Sequence, residues 1–155
     1  MDLILWRHAE AEDGMPDLAR ALTARGHVQA WKTADWLDRH LPNHCRVFTS
    51  PAVRTVQTAE ALGRKFTVHA NLGTSTTPEK ILAVAGWPDN PDPVLIVGHQ
   101  PTLGMLAALL ITGEMQEWTV RKGNVWWISR KDKNEPGSSY VRTVITPDFL
   151  AKRGT

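Results

Sequence analysis

The chain has 155 residues, of which 42% are hydrophobic and 22% charged, as in an ordinary soluble globular protein. This length predicts a single domain over residues 1–155, with a core that needs neither a disulfide nor a metal. The formal charge is only +2 and no long run of like charges occurs, which argues against nucleic-acid and membrane partners. Cys45 is the only cysteine, which excludes an internal disulfide and a cysteine-ligated metal site.

The first half of the chain predicts strands that alternate with helices. The apolar run Leu3–Trp6 is typical of a buried strand, and it ends at a polar site. A polar loop follows, and Thr23 can cap a helix that continues to about His40. The next predicted elements are a strand at Arg46–Thr49, a helix that begins with Ser50 as its cap and ends near Gly63, and a weak edge strand at Phe66–His69.

The second half continues the alternation and then changes. Thr76 and Glu79 form a capping-box pattern before a short helix at Ile81–Ala85. Later elements are a buried strand at Val94–Val97, a helix opened by Pro101, and strands at Val125–Ile128 and Tyr140–Ile145. This order predicts the α/β class, as a three-layer α/β/α sandwich with a mostly parallel central sheet.

Three polar groups lie where predicted strands end. They are Arg7-His8, the stretch from Ser50 to Arg54, and Gly98-His99. Ligands of an open parallel sheet bind beyond the carboxyl ends of its strands, so neighbouring strands would bring these groups together. Two arginines and two histidines in one crevice suit a doubly charged tetrahedral anion, and Arg54 also lies in the first turn of its helix.

These residues resemble the sequence blocks of the histidine phosphatase superfamily. Arg7-His8-Ala9 is similar to its Arg-His-Gly signature, residues 50–59 (SPAVRTVQTA) to its second block, and residues 97–101 (VGHQP) to the block with its second histidine. The start at residues 7–11 (RHAEA) and the segment RALTxxG from Arg20 to Gly26 point to the SixA-type phosphohistidine phosphatases. The resemblance implies a phosphoglycerate-mutase-like fold, in a minimal version without large helical insertions.

The resemblance also implies roles for individual residues. His8 would be the nucleophile that becomes phosphohistidine, while Arg7 and Arg54 would hold the phosphoryl oxygens. His99, protonated beside the phosphoryl group, would stabilise its charge. Arg20 would add a further phosphate contact, or would simply pair with Asp17. No cofactor or metal is expected.

Two departures from the family pattern affect these roles. Ala9 replaces the common glycine, which we expect to be harmless. The family usually has a glutamate that acts as the general acid in the segment corresponding to Ala70–Pro78. Here that segment contains no carboxylate. Glu79 and Glu10 are the candidate acids, although Glu79 can equally cap its helix. A missing acid favours P–N over P–O substrates, because the imidazole of phosphohistidine can take its proton from solvent.

The sequence therefore predicts a cytoplasmic phosphatase, a monomer or weak dimer, that acts on a phosphorylated histidine of a protein. One alternative is a general phosphomonoesterase for small phosphate esters. The other is a non-catalytic module that binds phosphate or a phosphoprotein.

Overall fold

The computed structural model of the protein describes residues 1–135 and 137–151. Its sheet has six strands: β1 Asp2–Arg7, β2 Arg46–Thr49, β3 Thr67–Val68, β4 Val94–Gly98, β5 Val125–Arg130 and β6 Ser139–Ile145. They are arranged in the order β3-β2-β4-β1-β5-β6. The first four strands in this order pair in parallel, whereas β5 is antiparallel to β1, and β6 is antiparallel to β5. The predicted mostly parallel sheet is confirmed.

Helices cover both faces of the sheet, as a three-layer sandwich requires. They are α1 Ala24–His40, α2 Val53–Glu60, α3 Pro78–Ala85 and α4 Thr102–Thr112, with short 3-10 turns at Asp17–Ala19, Ala70–Leu72 and Pro147–Phe149. In β1, Ile4 and Trp6 pack with residues of α1 and α2, whereas Leu3 and Leu5 pack with residues of α3 and α4. This alternation is why the strand reads as a continuous apolar run. Among the described residues, no helix has both the length and the apolar character needed to cross a membrane.

Helix starts differ from the sequence prediction at two places. Thr23 caps α1 as predicted, since its side chain accepts a hydrogen bond from the Gly26 amide. The cap of α3 is Thr77 rather than Thr76, because Pro78 occupies the first helical turn and Thr77 accepts from the Lys80 amide. In α2 the cap position is Ala52, so the predicted capping role of Ser50 is wrong. The edge strand β3 is also shorter than predicted, with only two residues, both exposed.

A close backbone approach fixes the loop that follows β1. A Cβ atom added to Gly26, in the first turn of α1, would lie 1.9 Å from the carbonyl oxygen of Glu10. The amide of Thr23 donates to the same oxygen, at 3.1 Å. The start of α1 can therefore lie directly against residues 8–12 only because position 26 has no side chain.

Replacing this glycine should destabilise the protein. Gly26→Ala forces the loop and the helix apart, and overpacking of this kind costs about 1–3 kcal/mol. The better helix propensity of alanine offsets up to about 1 kcal/mol of that loss. Gly73→Ala is the matched control, because its added Cβ would lie 3.6 Å from the nearest atom. Urea unfolding should show a lower midpoint for Gly26→Ala alone, and equal midpoints for the two variants would contradict the close approach.

Candidate active site

Three neighbouring strands bring their carboxyl ends to one edge of the sheet. His8 follows β1, Ser50 follows β2 and His99 follows β4, with β4 between the other two strands. Backbone hydrogen bonding between the strands continues one residue beyond β1 and β2. The His8 amide donates to the Gly98 carbonyl oxygen and the Ser50 amide to the Val97 carbonyl oxygen, each at 3.1 Å. The groups that the sequence places at strand ends thus share a single crevice.

The ring of His8 is held in one tautomer. Its Nδ1 lies 2.7 Å from the carbonyl oxygen of Ala9, which can only accept, so Nδ1 carries the proton and Nε2 keeps its lone pair. His8 is only 5% exposed, and this burial lowers its pKa to about 3. The hydrogen bond to Ala9 acts in the opposite direction, whereas the charges of His99, Arg7 and Arg54 lower the pKa a little further. At neutral pH His8 is a neutral imidazole with a free ring nitrogen.

Ala9 fits this turn without strain, as expected. None of the described residues other than glycine has a positive φ, and Ala9 is fully buried. Its amide donates to the hydroxyl of Thr58, at 3.1 Å, which ties the turn to α2. A glycine is not needed here.

His99 lies beside His8, with the two ring centroids 5.4 Å apart. Its Nε2 is 2.7 Å from the hydroxyl oxygen of Ser50, whereas its Nδ1 is buried without a hydrogen-bond partner among the described residues. Burial, followed by the charge of Arg54, lowers the pKa of His99 to about 4. His99 is therefore neutral in the anion-free protein, and the protonated form expected from the sequence requires the charge of a bound phosphoryl group.

The sequence did not predict the role of Ser50. This residue is fully buried, and its hydroxyl also accepts from the Ala52 amide at 3.3 Å. It orients the His99 ring instead of capping a regular helix start. The only sequence signal for this role was its position at a strand end in the same block as Arg54.

Of the two predicted phosphate-binding arginines, Arg54 is buried and Arg7 is partly buried. Arg54, the second residue of α2, is 5% exposed; its Nη1 donates to the carbonyl oxygen of Asp17 at 2.8 Å and its Nη2 to the Asp17 carboxylate at 3.1 Å. Arg7 donates from Nη1 to the carbonyl oxygen of Val120 at 3.1 Å. The Nε atoms of both arginines are buried and have no partner among the described residues. Each therefore keeps a donor for an anion.

Asp17 connects the loop to the site by contacting two arginines, Arg20 and Arg54. The sequence indicated only the pairing with Arg20. One carboxylate oxygen accepts from Arg54, and the other lies 3.2 Å from Nη1 of Arg20. Arg20 also donates from Nε to the carbonyl oxygen of Glu12, at 2.8 Å. The hydrogen bond from Arg54, reinforced by the charges of the arginines, lowers the pKa of Asp17. Asp17 is consequently an ionised carboxylate between two arginines.

The two candidate acids are not joined to these basic side chains. The Glu10 carboxylate accepts from the Thr23 hydroxyl at 2.7 Å, so it supports the start of α1. Glu79 lies exposed in the first turn of α3, and no hydrogen bond or ion pair joins it to another described residue. Within the described parts of the chain, no group of three or more His, Cys, Asp or Glu side chains could hold a metal ion.

The arrangement suits a tetrahedral dianion. His8 supplies an unprotonated ring nitrogen, and three buried atoms nearby lack partners: Nε of Arg7, Nε of Arg54 and Nδ1 of His99. Buried polar atoms are nearly always hydrogen-bonded, and charge-assisted bonds to phosphate oxygens would satisfy all three. The site can therefore bind phosphate and present it to a nucleophile.

Anion binding should be coupled to proton uptake. The negative charge of tungstate should raise the pKa of His99 from about 4, so binding near pH 6 should take up part of a proton. Calorimetric titration in buffers of different ionisation enthalpy measures this uptake. It should disappear in His99→Asn and persist in His44→Asn, which changes an exposed histidine. Uptake that is absent in the unchanged protein, or equal in all three, would contradict the coupling.

The chain is similar in sequence to known proteins. Residues 3–74 match the family model described as histidine phosphatase superfamily (branch 1). An uncharacterized protein of Mycobacterium tuberculosis is 34% identical over 111 residues, which cover 67% of this chain and 68% of that protein.

Solved structures extend the likeness to nearly the whole chain. A protein of Nakamurella multipartitia, assigned as the phosphohistidine phosphatase SixA, is 28% identical with a TM-score of 0.77, over 94% of this chain and 95% of the other. A protein histidine phosphatase SixA complexed with tungstate has the same fold, at 23% identity and a TM-score of 0.76, over 96% and 98% of the two chains. The fold is thus the phosphoglycerate-mutase-like one in its minimal form, and the chain belongs to the histidine phosphatase superfamily.

Proposed function

We propose that the protein is a phosphohistidine phosphatase, which removes phosphate from a histidine of another protein through a covalent intermediate on His8. The observation that carries this proposal is the neutral, fixed tautomer of His8 among buried donors without partners. The assignment of the similar Nakamurella protein supports the same substrate class.

In the first step Nε2 of His8 attacks the phosphorus atom while the bond from phosphorus to the substrate's imidazole nitrogen breaks. The departing ring keeps the electron pair of that bond and takes a proton from solvent. The proton stays on Nδ1 of His8, which donates it in a hydrogen bond to the carbonyl oxygen of Ala9. The phosphorylated ring is therefore cationic next to the phosphoryl oxygens. Burial disfavours a positive charge on His8, and in the phosphorylated ring the negative phosphoryl oxygens compensate for that charge.

Arg7 and Arg54 hold the equatorial oxygens during this transfer, and His99 donates a further hydrogen bond. Preorganised donors of this kind stabilise charge that develops in the transition state. Arg20 contributes through Asp17, with which it is paired. In the second step water attacks the phosphoenzyme, which releases inorganic phosphate and restores neutral His8.

The carboxylates around the site favour a P–N substrate. Expulsion of an alkoxide needs a proton donor, and general acid catalysis contributes about 10²–10⁴-fold. The Glu10 carboxylate accepts from the Thr23 hydroxyl, and the hydrogen bond from Arg54 lowers the pKa of Asp17, so Asp17 stays ionised at neutral pH and does not act as the proton donor. A phosphorylated imidazole needs no such donor, since its ring nitrogen is basic near neutral pH.

The alternatives have less support. A general phosphomonoesterase would require one of these carboxylates to carry a proton. A non-catalytic phosphate-binding module would have no need for a nucleophile with one fixed tautomer. The combination of an intact His8 and an Asp17 that Arg54 keeps ionised fits protein phosphohistidine best.

A phosphoenzyme should be trapped on His8. Rapid denaturing quench with labelled substrate, run in a chelator because the mechanism uses no metal, should give a base-stable and acid-labile label. His8→Ala should lack it, and His44→Ala should retain it, since His44 is exposed on the surface. Label in His8→Ala at the level of the unchanged protein would place the nucleophile elsewhere.

The enzyme should also prefer P–N over P–O bonds. At one pH, kcat/KM for a phosphohistidine peptide should exceed that for the matched phosphoserine peptide by at least about 10²-fold, because only the alkoxide needs a proton donor. An aryl phosphate, with a better leaving group, should fall between them. Spontaneous hydrolysis measured without enzyme is subtracted.

Equal rates on the two peptides would show that a proton donor exists. Asp17→Asn, Glu10→Gln and Glu79→Gln would then identify it, as the variant that loses activity on phosphoserine but keeps it on the aryl phosphate.

A further inference from the structure

A groove that begins at Arg7 runs along α1. One wall is formed by Arg25, Gln29 and Lys32 of α1, and the other by residues of the segments 119–124 and 146–148. It consists of two adjoining cavities of about 410 and 240 Å³, which share four lining residues. From Arg25 to Lys32 the wall extends about 10 Å, the length of roughly three residues of extended chain.

The charge of the groove is strongly positive. Its cationic lining residues are Arg7, Arg25, Lys32, Arg121 and Lys122. Among the described residues, the acidic ones that line it are Glu10 and Asp148, and Glu10 is already bonded to Thr23. The lining therefore carries a formal charge of +3, whereas the whole 155-residue chain carries +2.

Most of these cations are uncompensated. No ion pair or side-chain hydrogen bond joins Arg25, Lys32, Arg121 or Lys122 to another described residue. Elsewhere in the described chain, the arginines at 20, 39, 54, 64 and 142 each have an aspartate within 4 Å. Arg46, Lys65 and Lys131 also have no ion pair within the described chain, so the groove is distinguished by four such cations that lie together.

The groove is fixed in position relative to His8. The Gly123 amide is within hydrogen-bond distance of both the Arg7 and His8 carbonyl oxygens, at 3.1 Å each, and the Gly123 carbonyl accepts from the Thr33 hydroxyl at 3.0 Å. These contacts join the 119–124 wall to the end of β1 and to α1. A ligand in the groove would consequently lie at a defined distance from the reacting nitrogen.

We propose that this groove binds an acidic segment of the substrate protein, next to the phosphorylated histidine. This inference rests on the proposed function and adds to it a rule for choosing substrates. The linings of both cavities contain no aromatic side chain, so nothing there offers the stacking surface that single-stranded nucleic acids use. Free guanidinium and ammonium groups along an open groove instead match a row of Asp and Glu carboxylates.

Binding of unphosphorylated peptides tests the groove without any catalysis. Two fluorescent peptides of equal length surround one histidine with Asp and Glu or with Asn and Gln, and anisotropy at low salt gives the Kd of each. The acidic peptide should bind at least tenfold more tightly. Arg121→Gln/Lys122→Gln should remove most of that difference, and Arg25→Gln on the opposite wall should reduce it as well.

The control is Lys65→Gln/Lys131→Gln, which removes the same charge from exposed positions outside the groove. It should bind both peptides as the unchanged protein does. All the groove positions substituted are exposed, and unfolding midpoints check that each variant is folded. Equal Kd values for the two peptides, or equal losses in groove and control variants, would overturn the proposal. So would tighter binding of a single-stranded RNA with the same net charge.

Turnover of the phosphorylated forms separates this inference from the proposed function. The ratio of kcat/KM for the acidic phosphohistidine peptide to that for an aryl phosphate should fall about tenfold in Arg121→Gln/Lys122→Gln. If both phosphopeptides are hydrolysed equally well and the variant changes nothing, the groove proposal fails and the phosphatase stands. If the acidic peptide binds through the groove but no phosphopeptide is hydrolysed, the groove stands and the proposed function fails.

Discussion

Parallel pairing of β4 with β1 on one side and with β2 on the other is the contact on which the site depends. It brings Arg7 into register with Gly98, and Thr49 into register with Val97, so that the next residues of the three strands reach the same edge. All five residues of β4 are buried, which fixes its register through packing on both faces. A slip of one residue would turn His99 to the other face of the sheet and separate it from both His8 and Ser50.

Burial then sets the chemical state of the residues brought together. Burial in one crevice lowers the pKa of both histidines, and the positive charges of Arg54 and Arg7 add to this effect, so His8 and His99 are neutral near pH 7. The same desolvation strengthens every interaction with a bound dianion. One constraint thus leaves His8 with the free ring nitrogen that the proposed nucleophile needs and makes the crevice suited to a dianion.

The parts of this arrangement that depend on local sequence were predictable. The apolar runs of β1 and β4, the Thr23 cap and the placement of Arg54 in the first turn of α2 all follow from periodicity and capping rules. The parts that depend on tertiary contacts were not. The bond of Ser50 to His99 crosses 49 residues of sequence, so a local rule assigned Ser50 to the nearer helix start instead.

Asp17 also has one contact that the local sequence predicts and one that it does not. Its nearest basic partner in sequence, Arg20, is contacted as the spacing allows. Its contact with Arg54 lies 37 residues away and arises because the loop folds back over α2. The positive groove along α1 could not be predicted for a related reason. Its cations come from separate segments of a chain whose charges nearly balance, and only the fold brings them together.

The contact of Asp17 with Arg54 also has a consequence for the release of product. The carboxylate and carbonyl oxygens of Asp17 accept from Nη2 and Nη1, which leaves the Nε–H and the second N–H of Nη2 for a phosphoryl group. The negative charge of Asp17 beside this edge weakens the attraction of Arg54 for substrate and for inorganic phosphate alike. Such uniform weakening raises KM and leaves the barrier of the bound complex unchanged. A protein that concentrates this much positive charge can therefore let its product go, because the carboxylate of Asp17 offsets part of that charge at Arg54.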